Sequence, residues 1–317
     1  MLDVGSQRSA APVTRPFRIL SLDGGGAKGF YTLGVLREIE AATGMPLCET
    51  FDLVFGTSTG SIIGSLVGLG YSVDEMHALY CQHVPTVMKA WLAAGKTDAL
   101  RVLAEEILGD TRFDAFRTRV GIVATNWDNE RPLIFKSHQD QAHGRKASFV
   151  PGMGVTVAEA VQASCSAYPF FRRKRITSAK GDALELIDGG FCANNPTLYA
   201  IAEALEAVGR QRSELRVISV GVGDYPPKRR LSSSAANILV TVRLIQKMLQ
   251  INTASMEQLR QLIYADVPTI RINDAFDKPE MATDMFEHDA AKLNLLRQRG
   301  AESYAMRESD ILAFLKD

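Results

Sequence analysis

FRILSLDGGGAKGFYTLGVLREIEAA, residues 17–42, decides the fold class. A short apolar run, 17–23, leads into three consecutive glycines. Phe30, Leu33, Leu36 and Ile39 then recur at helical spacing as far as Gly44, a helix stop. Buried strand, glycine turn and helix form the unit from which parallel sheets are built. The turn itself is Asp23-Gly24-Gly25-Gly26-Ala27-Lys28-Gly29. Its glycines let a ligand approach bare backbone, and the helix start beyond them presents unpaired N–H groups. The turn therefore reads as a cradle for an anion, either a phosphate or an oxyanion that develops during reaction. Gly24-x-Gly26-x-x-Gly29 also matches the dinucleotide fingerprint in form. That fingerprint needs an acidic residue at the end of the second strand, where this chain has Gly56-Thr57-Ser58. A Walker A loop fits worse still, because Lys28 is followed by Gly29 rather than Ser or Thr.

The same strand–turn–helix unit recurs at 51–69. FDLVFG reads as a buried strand, and Gly56-Thr57-Ser58-Thr59-Gly60 as the turn before a helix over about 59–69. A GxSxG in this setting is a nucleophile elbow: the serine hydroxyl points off the sheet end, and small residues two positions away let strand and helix close around it. The plainer reading is a serine capping its own helix. A third turn, Asp188-Gly189-Gly190, follows the strand LELID (184–188) and precedes Asn194-Asn195-Pro196. It places a carboxylate where open α/β sheets hold working groups, although an Asx turn would account for it equally. Serine needs a base. The histidines stand at 77, 83, 138, 143 and 288, and His288 alone is late enough to complete a Ser-Asp-His order. A two-residue arrangement of Ser58 with Asp188 fits the sequence better.

The rest of the chain extends the pattern. Ser72 with Glu75 and Thr156 with Glu159 are capping boxes, and Asp98 is read as capping a helix at 99–108. Pro85 is read as interrupting the helix that starts at 73. Strands are expected at 121–127, 132–137, 215–223 and, as an edge strand containing Pro268, at 267–272. Helices are expected after Pro196, over 235–263, and at 289–299 and 301–315. The reading is thus one α/β domain over 17–317, a mostly parallel sheet covered on both faces. Residues 235–317 are its helical layer or cap, and 1–16 a loose arm.

Composition narrows the function. The 317 residues carry 36 basic and 36 acidic side chains, so net charge is zero, which argues against duplex DNA or RNA as a partner and leaves room for self-association, for instance a homodimer. The four cysteines, 48, 81, 165 and 192, form no CxxC pair, so neither a metal site nor a disulfide framework is expected. The opening MLDVGSQRSAAPVTRPF has no apolar core, and the richest apolar stretch, 61–71, is short of the roughly 20 residues that span a bilayer. A cytoplasmic protein with at most peripheral contact with the inner face of the membrane is expected.

Taken together, DGGGAKG at 23–29, GTSTG at 56–60, DGG at 188–190 and NNP at 194–196 resemble the patatin-like phospholipase family in identity and order. The resemblance covers about 17–205. It implies a three-layer α/β/α fold and hydrolysis of lipid acyl esters by a Ser-Asp dyad, with no cofactor required. Ser58 would be the nucleophile, Asp188 its base, and the amides of Gly24, Gly25 and Gly26 the oxyanion hole. Asp23, Lys28, Gly29, Gly56, Gly60, Gly189 and Gly190 would support these turns. The family commonly has arginine where this chain has Lys28, which cannot make a bidentate fork. Compact bacterial members include anti-phage defence effectors switched on by cyclic dinucleotides or cyclic oligonucleotides, which then degrade the cell's own membrane. This chain is similar to them in size and in its long helical tail. The alternatives are a constitutive acyl hydrolase or thioesterase, and a non-enzymatic lipid-binding or storage protein.

Two segments are candidates for controlling access: 84–95, with Met88, Trp91 and Leu92, as a membrane-touching flap, and 138–154 as a mobile, glycine-hinged lid. Arg172, Arg173, Lys174 and Arg175 form a candidate contact for anionic headgroups or an activator, and Lys228-Arg229-Arg230 a second basic cluster.

Overall fold

The computed structural model describes residues 15–226 and 236–316, with backbone only for 236–242. Eight strands form one mixed sheet: β1 (Phe17–Leu22), β2 (Leu53–Thr57), β3 (Arg119–Asn126), β4 (Arg131–Lys136), β5 (Lys174–Thr177), β6 (Ala183–Asp188), β7 (Leu215–Val220) and β8 (Thr269–Ile272). β3, β2, β1, β7 and β8 lie side by side and parallel, and the β3–β4, β3–β6 and β5–β6 pairs are antiparallel.

The eleven described helices are α1 (Gly29–Thr43), α2 (Leu47–Thr50), α3 (Thr59–Leu69), α4 (Val73–Lys89), α5 (Ala93–Leu108), α6 (Val157–Ser164), α7 (Gly190–Ala193), α8 (Thr197–Glu206), α9 (Ala236–Ile263), α10 (Ala290–Ala305) and α11 (Glu308–Lys316). Side chains alternate across a strand, and the two faces of the sheet separate accordingly. Leu20, Leu22, Val54, Ile122, Ile218 and Val220 join one core with α1, α3, α4, α5, α6 and α10. Phe17, Ile19, Leu53, Phe55, Leu215 and Val217 join another with α7 and α8, on which α9 packs. The result is the expected helix–sheet–helix sandwich.

Local signals and tertiary packing agree at many ends and disagree at a few. Both capping boxes form, and Gly44 ends α1 at φ 62°. Pro85, however, does not interrupt α4, which runs on to Lys89 because Val84 and Val87 on either side of it are buried. α5 begins at Ala93, before the expected Asp98 cap. Lys174 and Arg175 open β5. The segment 138–154 is tied down at its start, over 140–143, while 144–148 are exposed. Gln141 is fully buried, Arg119 Nε donates to Asp140 at 2.7 Å, and His143 bonds Glu203 at 2.8 Å. Lys228-Arg229-Arg230, and most of the expected N-terminal arm, lie outside the described residues.

Gly300, expected as a break between two helices, lies inside α10. A Cβ there would meet the Tyr31 carbonyl of α1, and a Cβ on Gly34 of α1 would meet the Arg297 carbonyl of α10. Each helix thus uses one glycine to admit the other's backbone. Gly300→Ala is expected to lower stability by about 1–3 kcal/mol, as overpacking does, despite the roughly 1 kcal/mol gain in helix propensity. Calorimetric melting checks this, and an unchanged or higher Tm would mean that the crossing tolerates a methyl group.

Candidate active site

The register of β3 brings the second and third glycine turns together. β4 occupies one edge of β3 over Gly121–Asn126. On the other edge β2 pairs as far as Thr57 with Val123, and β6 takes over at the next residue, Asp188 with Ala124. A parallel and an antiparallel strand thus end against each other on one edge. The residue after β2 and the last residue of β6 become neighbours although they are 130 apart in sequence: Ser58 Oγ donates to Asp188 Oδ2 at 2.7 Å.

Ser58 sits at φ 52°, ψ −124°, a conformation that is costly for any residue but glycine. It is the N-cap residue of α3, yet its side chain makes no capping bond, so the self-capping reading does not hold. The turn is held from outside. The Ser58 N–H donates to Ser164 Oγ at 2.9 Å, and Ser164 Oγ donates to the Val123 carbonyl at 2.6 Å. The small flanking residues are required by contact: a Cβ on Gly56 would strike the Gly60 carbonyl, and one on Gly60 the Leu22 carbonyl.

Asp188 is 3% exposed. Its Oδ1 accepts the Gly190 N–H at 2.7 Å, which is the Asx turn foreseen as an alternative, while Oδ2 is left for Ser58. Burial pushes its pKa up to about 7, against the opposing pull of the Gly190 and Ser58 hydrogen bonds. No histidine bonds either residue among the described residues. His288 Nδ1 instead contacts the Phe286 carbonyl at 3.2 Å.

The first glycine turn lies alongside. A Cβ on Gly24 would come 3.3 Å from Ser58 Cβ. The Gly24 N–H is already given to the Asn194 carbonyl at 2.9 Å, so it is unavailable to an oxyanion, and the expectation for Gly24 is corrected on that ground. The amides of Gly25 and Gly26 have no such partner among the described residues. Gly26 adopts φ 59°, and the Ala27 N–H donates to the Met285 carbonyl at 2.9 Å. Asn194 Nδ2 completes the clamp on the loop, donating to the Gly24 carbonyl at 3.3 Å and to Thr253 of α9 at 2.8 Å.

Asp23, at the start of the loop, is 2% exposed and gripped by both guanidinium nitrogens of Arg271 on β8, with Nη1 to Oδ1 at 2.8 Å. Lys28 hydrogen-bonds only the Gly223 carbonyl among the described residues, at 3.4 Å. Sequence reasoning missed Ser164 and Arg271. Neither stands in a motif, and the alternation of strand residues that aims Arg271 at Asp23 becomes informative only once β8 is placed beside β7.

The basic run is mostly spent on internal partners. Arg173 and Arg175 both bind Glu185, at 2.9 and 3.0 Å, Arg173 lies 5.0 Å from the Trp127 ring centroid, and Lys174 donates to Gln162 at 2.9 Å. Only Arg172 has a side chain without a partner among the described residues.

Two spaces meet at the glycine loop. Beside Ser58 is an apolar cavity of about 40 Å³, walled by Ile62, Val87, Leu103, Phe171 and Phe286, with room for roughly one or two waters. On the far side of Gly24 and Gly25 is a cavity of about 760 Å³ bounded by α9, lined by charged, amide and apolar side chains. The proposed flap divides between core and surface: Val84 and Val87 face the small cavity, whereas Trp91 and Leu92 are 77% and 67% exposed.

The profile of the patatin-like phospholipase family matches residues 20–201. The chain belongs to this family. It is 59% identical over 299 residues to the cUMP-AMP-activated phospholipase of Escherichia coli, covering 94% of this chain and 93% of that protein. It is 28% identical over 218 residues to the cGAMP-activated phospholipase of Pseudomonas aeruginosa, covering 65% and 62% of the two chains. Among solved structures, VipD from Legionella pneumophila aligns at 12% identity and a TM-score of 0.49, over 96% of this chain and 67% of that one. No cluster of His, Cys, Asp or Glu suited to a metal occurs among the described residues, and no helix among them is long and apolar enough to cross a membrane.

Proposed function

We propose that this chain hydrolyses fatty-acyl esters of membrane phospholipids through Ser58 and Asp188, and that a cyclic dinucleotide switches it on in anti-phage defence. The observation that carries the chemistry is the 2.7 Å bond from a strained, uncapped serine hydroxyl to a buried carboxylate. A base with its pKa near 7 suits proton abstraction near neutral pH. As Ser58 Oγ bonds to the ester carbonyl carbon, its proton passes to Asp188 Oδ2 and the carbonyl oxygen becomes an oxyanion. The Gly25 and Gly26 amides are its donors, and removing one such donor typically costs about 2.7–4 kcal/mol in the transition state. Collapse breaks the ester bond, and the departing alcohol, a lysophospholipid, takes the proton from Asp188. Water then gives a proton to Asp188 and attacks the acyl-serine. Ser58 recovers a proton as the fatty acid leaves.

Gating is favoured over constitutive hydrolysis because the cavity at Ser58 is too small for an acyl chain. It is favoured also because the relative at 59% identity is named for its activation by cUMP-AMP. The exposed Trp91 and Leu92, next to cavity-lining Met88, are the side chains offered to a lipid surface. The test is mass spectrometry of products from mixed phospholipid vesicles incubated with the protein alone, with cUMP-AMP and with cGAMP. Free fatty acid only when a nucleotide is present is the expected result. Equal release without nucleotide would leave a constitutive lipase, and no release with either nucleotide would refute the reading.

A further inference from the structure

The 760 Å³ cavity has no role in the ester chemistry, and its lining is of a different character from the cavity beside Ser58. α9 turns one face to it: Arg243, Gln246, Lys247 and Gln250 recur at helical spacing along its wall. Arg243 and Lys247 are exposed, one turn apart, and neither has a carboxylate partner among the described residues. Across the space, the Lys28 amine hydrogen-bonds one carbonyl among the described residues, at 3.4 Å, within the field of Asp23, Asp224 and Asp284, and the buried Tyr225 hydroxyl has no partner among them. The Tyr225 ring is stacked on Phe276 with centroids 5.0 Å apart. Burial lowers the Lys28 pKa, so the amine is poorly solvated where it stands. Exposed cations on α9, side-chain amides and an aromatic ring around one space are groups that hold phosphodiesters and read base edges, although Asp224, Glu257 and Asp284 share the same lining. The volume lies within the range of small-ligand sites.

We infer that this cavity is the binding site for the activating cyclic dinucleotide, and that the segment 283–286 carries the signal from it to Ser58. This rests on the activation reading given above. Thr283, Asp284 and Met285 wall the large cavity, while Met285 and Phe286 wall the small one. The same segment supports the glycine loop through the Met285 carbonyl, and Phe286 is packed on Phe170 with centroids 5.0 Å apart. A ligand that fills the large space bears on the partition that closes the acyl cavity.

The experiment measures cUMP-AMP binding by calorimetry to full-length Ser58→Ala protein, alone and with Arg243→Glu, Lys247→Glu, or Arg172→Glu added. Arg243, Lys247 and Arg172 are exposed, so the substitutions leave the fold intact, which circular dichroism checks. The expected result is at least tenfold weaker binding for each α9 variant and unchanged binding for Arg172→Glu. Equal affinity in all variants would overturn the site while leaving activation standing. No binding to the unsubstituted Ser58→Ala protein would remove the activation reading, and this site with it. A lipid headgroup carries the same phosphodiester chemistry and is separated by a second arm, with Ser58 intact. There, α9 variants that keep nucleotide affinity but show a raised KM on phosphatidylethanolamine–phosphatidylglycerol vesicles would assign the cavity to the substrate and overturn the proposal.

Discussion

Ser58→Ala is expected to lower ester hydrolysis by about 10⁴-fold or more, the scale on which serine hydrolases lose turnover without their nucleophile. Its melting temperature should stay close to that of the parent, because alanine inherits the same positive φ. Ser58→Gly separates the two properties. It removes the same hydroxyl, but glycine adopts φ 52° without steric cost. Relief of backbone strain is worth about 1–3 kcal/mol, less the 0.5–1 kcal/mol or so of glycine's own entropy cost. The glycine variant should therefore be inactive and more stable than the alanine variant. Turnover of a soluble p-nitrophenyl ester and calorimetric melting decide both points. Hydrolysis that survives in Ser58→Ala would dismiss Ser58 as the nucleophile, and equal melting of the two variants would dismiss the strain.

The second large effect concerns Asp188, whose pKa burial lifts to about 7. As the proposed base it would work ionised, so kcat/KM on a soluble ester should fall about tenfold per pH unit below 7 and level off above it. An ordinary carboxylate would place that limb near pH 4. Stability runs in the opposite direction. A carboxyl whose folded pKa is raised favours the fold fully below its unfolded pKa, near 4, and loses that contribution as pH climbs to the folded value. At about 1.4 kcal/mol per pKa unit, ionised Asp188 costs the fold a few kcal/mol above pH 7. Asp188→Asn keeps the shape and cannot ionise. It should be inactive, match the parent's stability at pH 4, and exceed it increasingly up to pH 7. Parallel stability curves for parent and variant from pH 4 to 8 would refute the raised pKa.

The three glycine turns were legible because each couples a composition rule to a place. A strand followed by glycines and a helix has few conformations available. Ser58 is visible as the middle residue of the GTSTG turn, and Asp188 as the acid that opens DGG. The capping boxes at Ser72 and Thr156 were legible for the same local reason. What escaped depends on partners distant in sequence. Gly300 looks like a stop by propensity and becomes a crossing point only against Tyr31. Pro85 looks like a breaker, yet burial of Val84 and Val87 overrides it. The run 172–175 looks like an anion site until Glu185, across the β5–β6 pair, claims two of its arginines. Gly24 was assigned to the oxyanion with its neighbours because three adjacent glycines are indistinguishable by type. Only the Asn194 carbonyl tells them apart.

The meeting of β2 and β6 on one edge of β3 has a consequence for synthesis. A ribosome finishes Ser58 long before Asp188, its proposed base, 130 residues later, and the Asp23 anchor waits a further stretch for Arg271, 248 residues beyond it. A chain released early, or a strand paired one residue out of register, carries Ser58 with no carboxylate to take its proton. For an enzyme whose proposed substrate is the membrane of the cell that makes it, copies that stop before β6 or mispair it lack the proposed base. The proposed dyad exists only where β2 and β6 have both found their places on β3.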